Sequence, residues 1–310
     1  MRSVTGKGRL VALAAVAVGA TVALAGCASG DPLDDDAGST GDAGGEPIVV
    51  GSQEYYSNEI IAEIYAQALE ANGYEVERDF NIGQREVYLP EIEAGNVDLF
   101  PEYTGNLLQY YVPDTEATTS EDVYAELEGA LPDGLRVLEQ SPATDQDSYN
   151  VTREFSEQND VTSLADLADV EESITLGGNA ELQTRPYGPE GLSEVYGVDV
   201  GFTAIQDSGG ALTLKALTDG QVQMVNIYSA DPNIATNDLV TLEDPEGLFL
   251  ASNVVPVASE KVTDEVAEII NEVSAALSPE ELVELNSQSI NEQRSADDIA
   301  AEWLEQEGLA

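Results

Sequence analysis

Two tyrosines stand where strand-like runs end. Tyr103 lies in "VDLFPEYTG" (97–105) and Tyr228 in "VQMVNIYSA" (222–230). In parallel sheets, ligands sit beyond the carboxyl ends of the strands. Aromatic faces attract cations, and sets of them hold quaternary ammonium groups. A single tyrosine at a strand end is better explained as packing. Two rings from separate halves of a chain can clamp one cationic solute between them. Other chemistries are closed off. The sequence has no histidine and one cysteine, Cys27. That excludes a Ser-His-Asp triad, a Cys-His dyad and a Cys/His zinc site. Carboxylate-only catalysis survives, but no acidic pair stands out as catalytic. The expectation is a binding protein rather than an enzyme, without metal or cofactor.

The elements that must carry these rings alternate. "PIVVG" (47–51) reads as a buried strand. In "SNEIIAEIYAQALEANG", Ile60, Ile61, Ile64, Tyr65, Ala68 and Leu69 recur at helical spacing, with Ser57 as cap and Gly73 as stop. "YEVERDF" alternates like a strand, "EVYLPEIEAGN" reads as a helix, and "VDLF" as a strand that gives way to a turn. "EDVYAELEGAL" and "LRVLEQ" supply one more helix and strand. The order then restarts with "SITLGG", "EGLSEVYG", "FTAIQ", "GGALTLKALTDG" and "VQMVNIYSA". Strand–helix–strand order predicts mainly parallel sheets flanked by helices. The last stretch is helical, opened by capping boxes in "SPEEL" and "SADD". Trp303 and Leu304 should pack the final helix on the body. Two such α/β units, joined by crossover segments near 141–152 and 251–258, predict two lobes with a cleft between them, a standard place for a small ligand. "GGALT" (209–213) offers helix-start N–H groups to an anionic ligand group. Tyr55 and Tyr56 both lie in the loop after the first strand, and the expectation is that Tyr56 reaches the cleft.

The chain opens with Arg2, Lys7 and Arg9, an uncharged apolar run and then "LAGC". This is a secretory signal, and Cys27 after small residues resembles a bacterial lipobox, whose cysteine is lipidated. Residues 1–26 are therefore expected to be a signal peptide. Residues 27–46, small, acidic and glycine-rich, are expected to be a flexible tether. The lobes are expected to be 47–145 with 255–310, and 146–254. Sixty acidic against eleven basic residues give a net charge of −49. Such a surface repels nucleic acid and anionic membrane faces. It suits high-salt surroundings, where screening tames self-repulsion.

"VGSQEYYSNEIIAEIYAQALEANGYEVE", "EIEAGNVDLFPEYTGN", "DQDSYNVTREF", "GLSEVYGV" and "TLKALTDGQVQMVNIYS" occur in an order that resembles the glycine betaine/choline/carnitine substrate-binding proteins of ABC importers. The resemblance runs from residue 48 to the carboxyl end. It implies an α/β, two-lobed periplasmic-binding-protein fold of type II with two crossover hinge segments, closing on an osmoprotectant. It implies as partners a permease and its ATPase, with a monomer held to the membrane by its lipid alone. It also implies cage roles for Tyr103 and Tyr228, a polar contact from Thr104, a contact from Gln53 where relatives often carry lysine, and a carboxylate-binding role for Arg185. Two expected cage tyrosines are missing. Near 141–147 the chain has Ser141 and Asp147, and near 206 it has Gln206 and Asp207. Asp147, Gln206 and Asp207 are therefore candidate polar contacts. A more polar pocket leaves open choline, carnitine, an ergothioneine-like betaine, a polyol, a phenolic compound or an amino acid, bound by an importer component or a sensor domain.

Overall fold

The computed structural model describes residues 46–310. The expected signal peptide, the expected lipidation site Cys27 and all of the expected tether except Glu46 lie outside the described residues.

The first sheet starts with β1 (Ile48–Gly51), continues through helix α1 (Tyr56–Ala71) to the exposed edge strand β2 (Val76–Asp79), and returns through α2 (Arg85–Glu93) to β3 (Leu99–Tyr103). Helices α3 (Thr104–Tyr111) and α4 (Ser120–Ala130) lead to β4 (Leu135–Val137). The six apolar residues spaced along α1 are each at most 1% exposed. Burying each isoleucine or leucine among them contributes about 1.5–3 kcal/mol in gross hydrophobic terms. They pack in one core with Ile270, Val273, Trp303 and Leu304 from the carboxyl-terminal helices. Ser57 is not the cap of α1. The helix begins one residue earlier, and the Ser57 side chain is buried inside its first turn.

The chain crosses once and builds a second sheet from β5 (Asp147–Thr152), β6 (Thr175–Gly178), β7 (Gly201–Ala204), β8 (Met224–Tyr228) and β9 (Leu239–Thr241). Helices α5 (Arg153–Asn159), α6 (Pro189–Tyr196), α7 (Ala211–Thr218) and α8 (Asn233–Thr236), with 3-10 turns at Ala165–Asp169 and Ala180–Thr184, connect them. It crosses back into β10 (Val254–Ser259) and ends in α9 (Asp264–Ala276), α10 (Pro279–Glu292) and α11 (Ala296–Glu307). The capping box of α10 is formed by Ser278 and Glu281.

The strand orders are β2-β1-β3-β10-β4 and β7-β6-β8-β5-β9. Each sheet has a parallel core and one strand antiparallel to both its neighbours: β10 in the first and β5 in the second. These two strands enter straight from the crossovers, with no helix to turn the chain round, so they run against the rest. The crossovers are shorter than expected, because 147–152 and 254–258 are already strand. Between them, Thr144 bridges Asn253, so the connections run side by side. The result is an α/β fold of two lobes, here lobe I for the first sheet and lobe II for the second.

The strand at "VDLF" also runs further than expected. It continues through Pro101, Glu102 and Tyr103, and α3 follows at once without a turn. Pro101 is tolerated because it faces Pro256 across the ladder, while its carbonyl points away and accepts from Asn58 Nδ2 at 2.7 Å. Gly105 is required by packing. A Cβ there would lie 2.7 Å from the Ala251 carbonyl oxygen, so only glycine lets α3 start against the second crossover.

Candidate functional site

Tyr103 ends the strand of lobe I that lies beside β10, and Tyr228 ends the strand of lobe II that lies beside β5. Both rings line one cavity between the lobes. Tyr55, from the loop after β1, and Tyr187, just before α6, complete a set of four rings, two from each lobe. The Tyr55 and Tyr228 ring centres are 4.8 Å apart, with the planes tilted by 58°. The cavity holds about 560 Å³ of space free of protein atoms, its mouth included.

Hydrogen bonds fix the Tyr103 ring and the backbone that carries Tyr187. Asn58, in the first turn of α1, accepts from the Gln53 N–H at 2.9 Å and donates to the Tyr103 hydroxyl at 3.4 Å. It therefore sets both the loop that carries Gln53 and the ring of Tyr103. Below them, Arg85 and Glu102 form a two-pronged ion pair (Nε–Oε1 2.8 Å, Nη2–Oε2 2.9 Å) that Tyr88 supports with its hydroxyl. Burial works against the Arg85 charge, but Glu102 outweighs it and the guanidinium stays firmly protonated. In lobe II, the Tyr149 hydroxyl donates to the Tyr187 carbonyl. Burial raises the pKa of Tyr55, Tyr103, Tyr187 and Tyr228, with Asp145 adding to the first two and Asp147 to the last two, so all four hydroxyls stay neutral.

Two aspartates from the first crossover and the start of β5 reach the cavity. Asp147 Oδ1 accepts from Asn226 at 2.9 Å and its Oδ2 from Asn106 at 2.5 Å. Asp145 is 3% exposed. Its Oδ1 accepts from the Ala230 N–H at 3.0 Å. Oδ2 has the Ser57 and Tyr55 hydroxyls as neighbours but makes no well-formed hydrogen bond to either. Burial pushes the Asp145 carboxyl up to about 7, with Asp231 adding to the shift.

The lobes meet across the cleft. Asn106 on α3 donates to Asp147 and to the Tyr187 hydroxyl (2.9 Å) of lobe II. Tyr56 donates to Asp231 at 3.1 Å. Arg185 pairs with Glu86 at 2.8 Å.

Of the residues singled out in the sequence, Tyr103, Tyr228, Gln53, Asp147 and Arg185 line this cavity. Four do not. Thr104 turns to the second crossover, where its hydroxyl donates to Ala251 O (3.3 Å) and accepts from Asn253 N (3.0 Å). Tyr56 lies edge-on to Tyr55 at 4.8 Å, behind it, and serves the interlobe bond instead. Gln206 accepts from Ala180 N at 2.9 Å and lines a neighbouring depression with Asp207 and Tyr56. Asp207 caps α7, accepting from Leu212 N, Thr213 N and the Thr213 hydroxyl. The helix start at "GGALT" is thereby satisfied by the chain itself and does not face an anion.

Of the pair Tyr55 and Tyr56 it is Tyr55 that lines the cavity, and Tyr187, Asp145, Asn106 and Asn226 were missed. Three carried a readable signal. Asp145 lies two residues from Asp147 along extended chain, hence on the same side. Asn106 lies one helical turn from Tyr103. Asn226 stands two residues before Tyr228 on the same strand. Tyr187, in an irregular loop, carried none.

The family described as the substrate-binding domain of ABC-type glycine betaine transport systems matches residues 46–306 of the chain. The chain is 28% identical over 278 residues to the glycine betaine-binding protein YehZ of Escherichia coli (strain K12), covering 84% of this chain and 91% of that protein. It is 24% identical over 275 residues to the carnitine transport binding protein OpuCC of Listeria monocytogenes, covering 84% and 86%. The solved structure of apo YehZ from Escherichia coli matches it with a TM-score of 0.63 at 27% identity, over 86% of this chain and all of that one.

Proposed function

The chain belongs to the family of substrate-binding domains of ABC-type glycine betaine transport systems, a family of binding proteins rather than enzymes, and from that premise we propose that it captures a quaternary-ammonium solute of the glycine betaine, choline or carnitine class in the cleft and delivers it to a permease driven by an ATPase. The observation that carries this reading is the set of four neutral tyrosine rings, two from each lobe, around one cavity with the buried Asp145 carboxyl. Each desolvated ring over a cation contributes up to about 2 kcal/mol. A solute touching both lobes favours the closed arrangement by its differential affinity for it. Tyr103, Tyr228, Tyr55 and Tyr187 hold the ammonium group. Gln53 addresses the rest of the solute, while Arg185 stands on the wall paired with Glu86. Cys27 is the lipid anchor, which places the protein outside the cytoplasmic membrane as a monomer on a tether.

The test is titration calorimetry with glycine betaine, choline and carnitine, set against a polyol and an uncharged amide. Saturable binding of at least one trimethylammonium compound, weakened about tenfold in Tyr103→Ala and Tyr228→Ala, is expected. Binding of none of the three would overturn the reading. A second reading, a larger hydrogen-bonding betaine, is favoured by the amides of Asn106, Asn179 and Asn226 on the cavity wall.

A further inference from the structure

The charges of the cavity do not balance. Its two arginines are already matched: Arg85 by Glu102 in a buried fork, and Arg185 by Glu86 at 2.8 Å. Two carboxylates remain on the wall, Asp147 and Glu181, beside the raised carboxyl of Asp145. Both oxygens of Asp147 are held by neutral amides, which satisfy hydrogen bonds without cancelling charge. Glu181 comes from the 3-10 turn Ala180–Thr184 of lobe II. Its Oε2 is buried and has no hydrogen-bond partner. Buried acceptors without donors are rare and costly. One such acceptor on a wall with two unmatched carboxylates describes what is missing: a positive charge and a donor.

We propose that the solute is a net cation carrying its own hydrogen-bond donor, such as a hydroxyalkyl trimethylammonium ion, and that Glu181 selects it over a zwitterion. This rests on the reading of the cleft as a cation cage. A zwitterionic betaine brings a second carboxylate, which has only acceptors to offer. It meets Glu181 and Asp147 as like charges, which disfavours it. Its natural counterpart would be Arg185, but Glu86 holds that guanidinium. A hydroxyl instead donates to Glu181 and adds no charge. Glu86 thus acts as a positioning residue, keeping Arg185 away from an anionic group.

The experiment is calorimetric titration of the full chain with choline and with glycine betaine, in the wild type, Glu181→Gln and Glu86→Gln, with thermal unfolding to confirm folding. Wild type should bind choline at least tenfold more tightly. Glu181→Gln should shrink that ratio about tenfold, chiefly by weakening choline. Glu86→Gln should shrink it from the other side, by strengthening glycine betaine as Arg185 is released. A fixed structural role for Glu181 would move both ligands together and leave the ratio unchanged, which overturns the proposal. So does glycine betaine binding as tightly as choline in wild type. Binding of neither overturns the cation-cage reading itself.

Discussion

Binding of a cationic solute should tighten as pH rises from 5 to 7 and then level off, and Asp145 should be the cause. Its carboxyl titrates near 7 in the solute-free protein, against an ordinary 3.8, because burial disfavours the charged form. The groups facing it are Asp231 and the hydroxyls of Tyr55, Tyr56, Tyr103 and Tyr228, and these tyrosines are all raised and neutral over this range. Below pH 7 the empty site is mainly protonated. A cation in the cage favours the carboxylate, so binding expels the proton, and each unit by which the bound pKa falls is worth about 1.4 kcal/mol, or tenfold in affinity. The same shift acts on folding. A carboxyl raised in the folded state lends stability that is full below about pH 4 and lost as pH rises through 7. The distance from 3.8 to about 7 corresponds to about 4 kcal/mol. Calorimetry in two buffers of different ionisation enthalpy should count close to one proton released at pH 6 and none at pH 8.5. Asp145→Asn should abolish the release and flatten the affinity profile. Against that variant, the urea midpoint of the wild type should drop between pH 4 and 7. Equal slopes in wild type and Asp145→Asn would refute the reasoning.

Removing one ring, by Tyr103→Ala or Tyr228→Ala, should weaken a trimethylammonium solute about tenfold by calorimetry, while the Phe variants, which keep the ring face, should lose less; equal losses would point to the hydroxyls. Glu102→Ala leaves Arg85 buried without its partner, so urea unfolding should show a loss of about 3–5 kcal/mol, and an unchanged midpoint would contradict the ion pair. Tyr56→Phe deletes the interlobe bond to Asp231. At about 1 kcal/mol, the loss should appear as several-fold weaker solute binding with the ring cage intact. Asp207→Ala removes the cap of α7 and should cost about 1 kcal/mol of stability without changing solute affinity.

Much of this could be read along the chain because it depends on near neighbours. Helix α1 was legible from its apolar spacing, α10 from Ser278 and Glu281, and the two-lobed plan from an alternation that stops and restarts. The lack of histidine closed off most catalysis before any fold was known. What a line of residues cannot state is which polar groups are already spoken for. Thr104 sits beside Tyr103, yet its hydroxyl is claimed by Ala251 and Asn253, nearly 150 positions away. Asp207 was as good a candidate as Asp147 until the turn of α7 folded back onto it. Asp145 and Glu181 were two acids among sixty. Only the packing of the two lobes buried the first and left an oxygen of the second without a partner. Composition and spacing therefore determined the kind of chemistry available. The tertiary structure decided which atoms remain free to perform it, because hydrogen bonding and desolvation depend on neighbours in space rather than in sequence.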